Sequence, residues 1–143
     1  MKDSVARVKH PIDAIAIYRC SHWLYKHGFT LLSGMVYRIN LMIFNCVIPQ
    51  SCKIGKDTWL AHSVGIVLSP HCEIGDNVCI CQNVTLGGGA IRVGKNCLIG
   101  ANAVILGNIT IGDNCKIGAN TFVNFDVPAG STVVGTKGRI LPH

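Results

Sequence analysis

From Ile99 to Phe122 the chain reads IGANAV, ILGNIT, IGDNCK, IGANTF, four consecutive hexads that each open on isoleucine. The frame runs outward in both directions. Upstream it passes through VGKNCL, LGGGAI with an extra Arg92, ICQNVT, IGDNVC, LSPHCE, a two-residue insertion at Ile66-Val67, LAHSVG, IGKDTW and IPQSCK; downstream it continues as VNFDVP. The first residue is always Ile, Leu or Val, and the fifth is small or compact. Both point to one side if positions 5, 6 and 1 form a short strand, because side chains alternate faces along a strand. Glycine at position 2 is expected to permit the turn that follows. Short parallel strands of this kind stack into a solenoid in which each unit buries its face only against its neighbours.

The bulk composition agrees. With 143 residues, 49% hydrophobic and 14% charged, the chain fits one globular unit, and sixteen glycines against 6% aromatics argue against a helical bundle. The net charge of +6 comes from lysines and arginines scattered singly, so no nucleic-acid partner is expected. An anionic membrane surface or an anionic small ligand such as a phosphorylated cofactor stays open. Eight cysteines would suit a disulfide scaffold, yet no basic start, apolar stretch and small-residue cleavage site opens the chain. Reduced thiols and a cytoplasmic location are therefore expected. Cys52, Cys72, Cys97 and Cys115 share the small-residue position of the repeat, where a thiol acts as a compact hydrophobe.

Residues 1–47 form a helical segment ahead of the repeat domain, residues 48–143. Apolar residues recur at helical spacing from Ile12 to His27 (Ile12, Ala16, Tyr18 or Arg19 beside Cys20, Trp23), with Asp13 in the first turn and Gly28 as the stop. A second apolar segment, Phe29 to Cys46, approaches the length of a membrane span, but Arg38 would then sit at mid-membrane at a cost of about 2.5 kcal/mol or more. A helical hairpin covering the open end of the solenoid is expected instead. Peripheral membrane contact through residues 12–46 is left open.

This array resembles the hexapeptide-repeat acyltransferases, and LAHSVGIV, IGDNVCICQNVTLGG, ILGNITIGDNCKIGAN and VVGTKGRI are similar to stretches of the serine acetyltransferases and related polysaccharide O-acetyltransferases. The resemblance implies a left-handed parallel β-helix with three hexads per coil, a homotrimer, and acetyl-CoA as acyl donor with no metal. With three hexads per coil, the rungs opening on Leu60, Ile80, Ile99 and Ile117 stack, and their third residues, His62, Gln82, Ala101 and Ala119, form one corner column. His62 matches the family's catalytic histidine, a general base that removes the acceptor hydroxyl proton. Gln82 orients His62 or the substrate, Arg92 contacts an anionic substrate group, and the donor lies along Gly100, Ala101, Gly118 and Ala119. Lys137 and Arg139 are expected to reach its phosphates.

The departures bear on the acceptor. The family's acid partner of the histidine aligns with Val47, its acidic substrate contact with Ala61, and its Arg-His loop is shortened to Gly87–Arg92. A saccharide hydroxyl is therefore the favoured acceptor, with serine O-acetylation and a non-catalytic trimeric scaffold as alternatives. His71 reads as a solvent-facing corner residue. Cys79 and Cys81 flank inward Ile80 and are expected to face outward.

Overall fold

A computed structural model describes residues 13–135; Lys137 and Arg139 lie outside them. Two helices, α1 (Ala14–Lys26) and α2 (Thr30–Phe44), precede thirteen strands of two or three residues: β1 (Lys53–Ile54), β2 (Trp59–Leu60), β3 (Val67–Leu68), β4 (Glu73–Ile74), β5 (Cys79–Ile80), β6 (Thr85–Gly87), β7 (Arg92–Val93), β8 (Leu98–Ile99), β9 (Val104–Leu106), β10 (Thr110–Ile111), β11 (Lys116–Ile117), β12 (Phe122–Val123) and β13 (Thr132–Val133).

Every third strand pairs in parallel, giving three sheets: β1-β4-β7-β10, β2-β5-β8-β11-β13 and β3-β6-β9-β12. The chain visits them in rotation, so they form the faces of a triangular prism, here called first, second and third. This is the left-handed parallel β-helix, about four turns long. Positions 1 and 5 fill its interior, with Ile80, Ile99, Ile105, Ile111, Val84 and Cys115 all fully buried. The four repeat thiols join that core, and Cys52, Cys97 and Cys115 donate to the carbonyls of Ser69 (3.0 Å), Gly112 (3.2 Å) and Pro128 (3.1 Å).

The turn chemistry differs from expectation. At position 2 the glycines are there for room: a Cβ on Gly75 would fall 2.8 Å from the backbone of Gly94, and one on Gly100 would fall 2.6 Å from the nitrogen of Ala119. The left-handed residue is at position 4, where Asp57, Asn77, Asn83, Asn96, Asn102, Asn114 and Asn120 hold φ between 55° and 59°. Asparagine tolerates this region better than other side-chain-bearing residues do.

Both insertions also fall elsewhere than the hexad frame places them. Val67 pairs with Thr85, and Arg92 with Glu73 and Thr110, so these residues are in register. The extra residues lie instead in the corners just before, Ala61–Gly65 and Gly88–Ala90, outside the strand ladders.

Helix α1 starts at Asp13, whose carboxylate accepts the Ala16 N–H (2.7 Å), and ends before Gly28 at φ +83°. It buries Ala14, Ile15, Tyr18, Ser21 and Leu24 and leaves Ala16 and Trp23 exposed. The buried stripe is offset from the apolar one because α1 has two partners. Tyr18 donates to the Cys52 carbonyl (2.5 Å) and Arg19 to the Gly55 carbonyl (2.8 Å), which seats α1 on the first coil. Against α2, Ser21 and Ser33 exchange side-chain to carbonyl bonds of 2.9 and 2.8 Å, and Asn40 donates to the Ala14 carbonyl (3.1 Å). Asn45, left-handed at φ 48°, stops α2, and Val47 already bridges to Val67 as the first rung.

Candidate active site

The second face keeps Leu60, Ile80, Ile99, Ile117 and Val133 in strict register. Two residues beyond each, at the corner between the second and third faces, stand His62, Gln82, Ala101, Ala119 and Gly135. Backbone bonds tie the column together from coil to coil: Asn102 N–H to Gln82 (3.0 Å) and Asn120 N–H to Ala101 (2.9 Å). At its head the pattern changes. The Asn83 N–H bonds to Val64 (3.0 Å) and not to His62, because the two extra residues widen this corner. His62 is exposed in that wider loop, as is Val64, with Gln82 half-buried in the coil below.

Hydrogen-bond accounting sets this corner apart. At the corner between the first and second faces, the position-3 N–H groups of Lys56 and Lys95 donate to Asp76 (2.8 Å) and Asp113 (2.7 Å) from the next coil. At the His62 corner no carboxylate plays that part, and among the described residues the N–H groups of His62, Gln82, Ala101 and Ala119 have no acceptor within the chain. A row of outward donors with small side chains at Ala101, Ala119 and Gly135 suits an extended ligand bearing carbonyls, since polar groups left unpaired by the fold need water or a ligand. Position 3 carries an acid at Asp76 and Asp113 and none in this column, a contrast that separates it from the corner between the first and second faces.

Arg92 is not part of this corner. It lies on β7 in the first face, opposite the His62 corner of the prism, and its Nε stands 3.6 Å from Glu73, which also binds Lys53. Lys53 and Arg92 hold the Glu73 carboxyl below its ordinary range, Lys53 the more strongly. His71, exposed, shares with these three and Tyr25 an open cleft of about 400 Å³. Gly100 and Gly118 do belong to the column, though Gly100 already has a packing reason to be glycine.

Cys79 turns away from the interior, as expected, but is only 8% exposed. Its neighbours along the second face, Trp59 and Leu98, are half-buried. Burial pushes its thiol up to about 12 and raises Cys81 as well, so neither supplies a thiolate nucleophile near neutral pH. Among the described residues no three His, Cys, Asp or Glu side chains converge as a metal site would require.

The family model for bacterial transferase hexapeptide repeats matches residues 90–124. The serine acetyltransferase of Helicobacter pylori is 37% identical over an alignment covering 91% of this chain and 80% of that one. The chain belongs to the serine acetyltransferase family of hexapeptide-repeat acyltransferases. The Bacillus subtilis serine acetyltransferase is 38% identical over 91% of this chain, and only 63% of that relative is covered; the chain spans less than two thirds of the length of most relatives it matches. Two solved family structures superpose closely. A Neisseria gonorrhoeae serine acetyltransferase in complex with serine gives a TM-score of 0.83 at 37% identity over 89% of this chain and 55% of that one. A serine acetyltransferase complex with CoA gives 0.83 at 38% identity over 90% and 55%.

Proposed function

We propose that the chain is an acetyl-CoA-dependent O-acetyltransferase that moves an acetyl group directly to an acceptor hydroxyl. The observation that carries this reading is the open row of N–H donors leading along one corner to His62. An extended acyl donor lying on Ala101 and Ala119 presents its thioester near the head of the row. His62 takes the proton from the acceptor hydroxyl as its oxygen attacks the thioester carbon. The oxyanion is held by corner N–H groups, and collapse releases the ester and CoA thiolate, which His62 reprotonates. Imidazole suits both steps because its ordinary pKa lies between pH 5 and 8.

The working unit in this reading is a homotrimer. Within one subunit Arg92 stands on the face opposite His62, so a contact between Arg92 and a substrate held at His62 comes from a neighbouring copy. The cleft beside Arg92, with His71 and Tyr25, then forms the other wall of the acceptor site.

A saccharide hydroxyl is the favoured acceptor. Ala61 and Val47 place no carboxylate beside His62, and the short Gly87–Arg92 corner leaves the site open, which suits a bulky neutral acceptor better than a small zwitterion. Serine is the second reading, favoured by the names of the relatives. CoA release measured with serine against a panel of sugars and nucleotide sugars separates the two. Activity with neither, together with no acetyl-CoA binding at millimolar concentration by calorimetry, overturns the enzyme reading in favour of a scaffold. Full acetyl transfer by His62→Ala removes the histidine from the mechanism.

A further inference from the structure

Helix α2 is built inside out. Its polar residues Ser33 (0% exposed) and Asn40 (1%) face α1, while Leu31 (81%), Met35 (55%), Ile39 (48%), Met42 (83%) and Ile43 (64%) face solvent. At 100° per residue these five, with Leu32, fall in one stripe centred near Met35, and the stripe runs the full fifteen residues, about 22 Å. Phe29 (55%) continues the apolar surface at the hairpin turn beside Leu31, Leu32 and Met35, and Trp23 (55%) is exposed near the end of α1. A contiguous patch of this size marks an interaction surface.

Charge selects the partner. Across residues 13–45, Arg19, Lys26 and Arg38 stand against Asp13 alone, and Asp13 is occupied as the α1 cap. Arg38 borders the apolar stripe. In the sequence ahead, Lys2, Arg7 and Lys9 outnumber Asp3. Pairing this face with its own copy would bring Arg38 toward further basic residues, with no carboxylate on the facing helices to neutralise them.

We infer that the α1–α2 hairpin attaches the protein to an anionic lipid surface, with α2 lying in the interface plane. The apolar stripe enters the headgroup and acyl boundary, Trp23 sits at headgroup level, and Arg38, at the border of the stripe, meets lipid phosphates. The helix does not span: no described helix is long and apolar enough to cross a membrane. The attachment is independent of the acyl-transfer reading.

Vesicle flotation of the whole chain tests this. Vesicles of equal phosphatidylglycerol and phosphatidylcholine should carry the protein to the top of the gradient, with at least about tenfold weaker binding to phosphatidylcholine alone and release by high salt. The triple variant Leu31→Ser, Met35→Ser, Met42→Ser alters only exposed positions and should lose at least about tenfold in vesicle binding with its circular dichroism unchanged. Arg38→Glu, a second and milder variant, should weaken binding to anionic vesicles and leave binding to neutral ones unaltered. Absence of binding at millimolar anionic lipid overturns the inference, as does equal binding by Arg38→Glu and the parent. A parent that ignores vesicles but loses a self-associated state in the triple variant assigns the face to a second copy instead.

Discussion

Gly65 lies against the side-chain amide of Asn83 in the next coil, so closely that a Cβ at position 65 would collide with Asn83 Oδ1. Gly65 also holds φ +71°, the left-handed position that asparagine fills in later coils. The wide corner carrying His62 is thus closed by a residue that needs both the space and the backbone freedom of glycine. Gly65→Ala should destabilise the fold by about 2 kcal/mol through combined strain and clash, read as a lowered denaturation midpoint. Made on an Asn83→Gly background, the same change should cost less, because the collision is gone and only the strain is left.

Tyr18 anchors the helical hairpin through one buried hydroxyl donating to the Cys52 carbonyl. Tyr18→Phe keeps the ring and strands the carbonyl, for an expected loss of about 1–2 kcal/mol in urea denaturation. Desolvation by burial keeps the phenol protonated well above its ordinary range, so this donor stays intact through the alkaline range in which the thiols titrate.

Burial raises Cys46 to about 11 and Cys52 and Cys79 to about 12, from an ordinary 9.0. A thiol whose folded pKa exceeds its unfolded one contributes stability that is fully present below the unfolded value and is lost as pH rises through the folded value. Thermal midpoints should therefore be flat up to about pH 8.5 and fall steadily towards pH 11. Cys79→Ala should make that decline shallower. In native protein at pH 8, exposed Cys20 should react with a thiol reagent far ahead of the buried cysteines.

If Arg92 of one subunit serves His62 of the next, the two impaired variants should rescue each other at subsaturating substrate. His62→Ala is expected to lower kcat by about 10²–10⁴ and Arg92→Ala to raise KM by about tenfold or more. Mixed trimers refolded from the two variants should regain activity at sites pairing an intact His62 with an intact Arg92. No recovery above the sum of the separate variants would remove Arg92 from the site.

The repeat made most of the architecture readable from residues alone. Buried Ile80, Ile99 and Ile117 and the register of the His62 column follow from counting six. What the count missed is physical rather than numerical. Insertions moved into corners because paired strands hold a fixed residue-to-residue register, whereas a corner can widen and take its coil-to-coil bond from a shifted residue, as Asn83 does with Val64, so Val67 and Arg92 kept their places. The left-handed turn went to asparagine because position-2 glycines are consumed by close coil contact. Arg92 looked like a companion of His62 in sequence, but a three-sided prism puts residues thirty apart on different faces as easily as on the same one. Trp23 reads as core in a helical pattern, yet α1 turns Tyr18 and Leu24 inward to satisfy two partners at once. The exposed face of α2 is legible only with coordinates, since an inverted amphipathic helix has the same periodicity as an ordinary one.

The row of left-handed asparagines also bears on how the protein ages. None of the ten asparagines precedes glycine, the arrangement most prone to deamidation, and the residues that follow the six left-handed asparagines of the repeat, Val78, Val84, Cys97, Ala103, Cys115 and Thr121, are all buried. Succinimide closure requires the next residue's nitrogen to swing onto the asparagine side chain, and in this solenoid that motion would pull a core residue out of its coil. The six left-handed turns are in consequence chemically durable, and slow loss of ammonia should begin outside them, at sites such as Asn124, whose successor Phe125 is exposed.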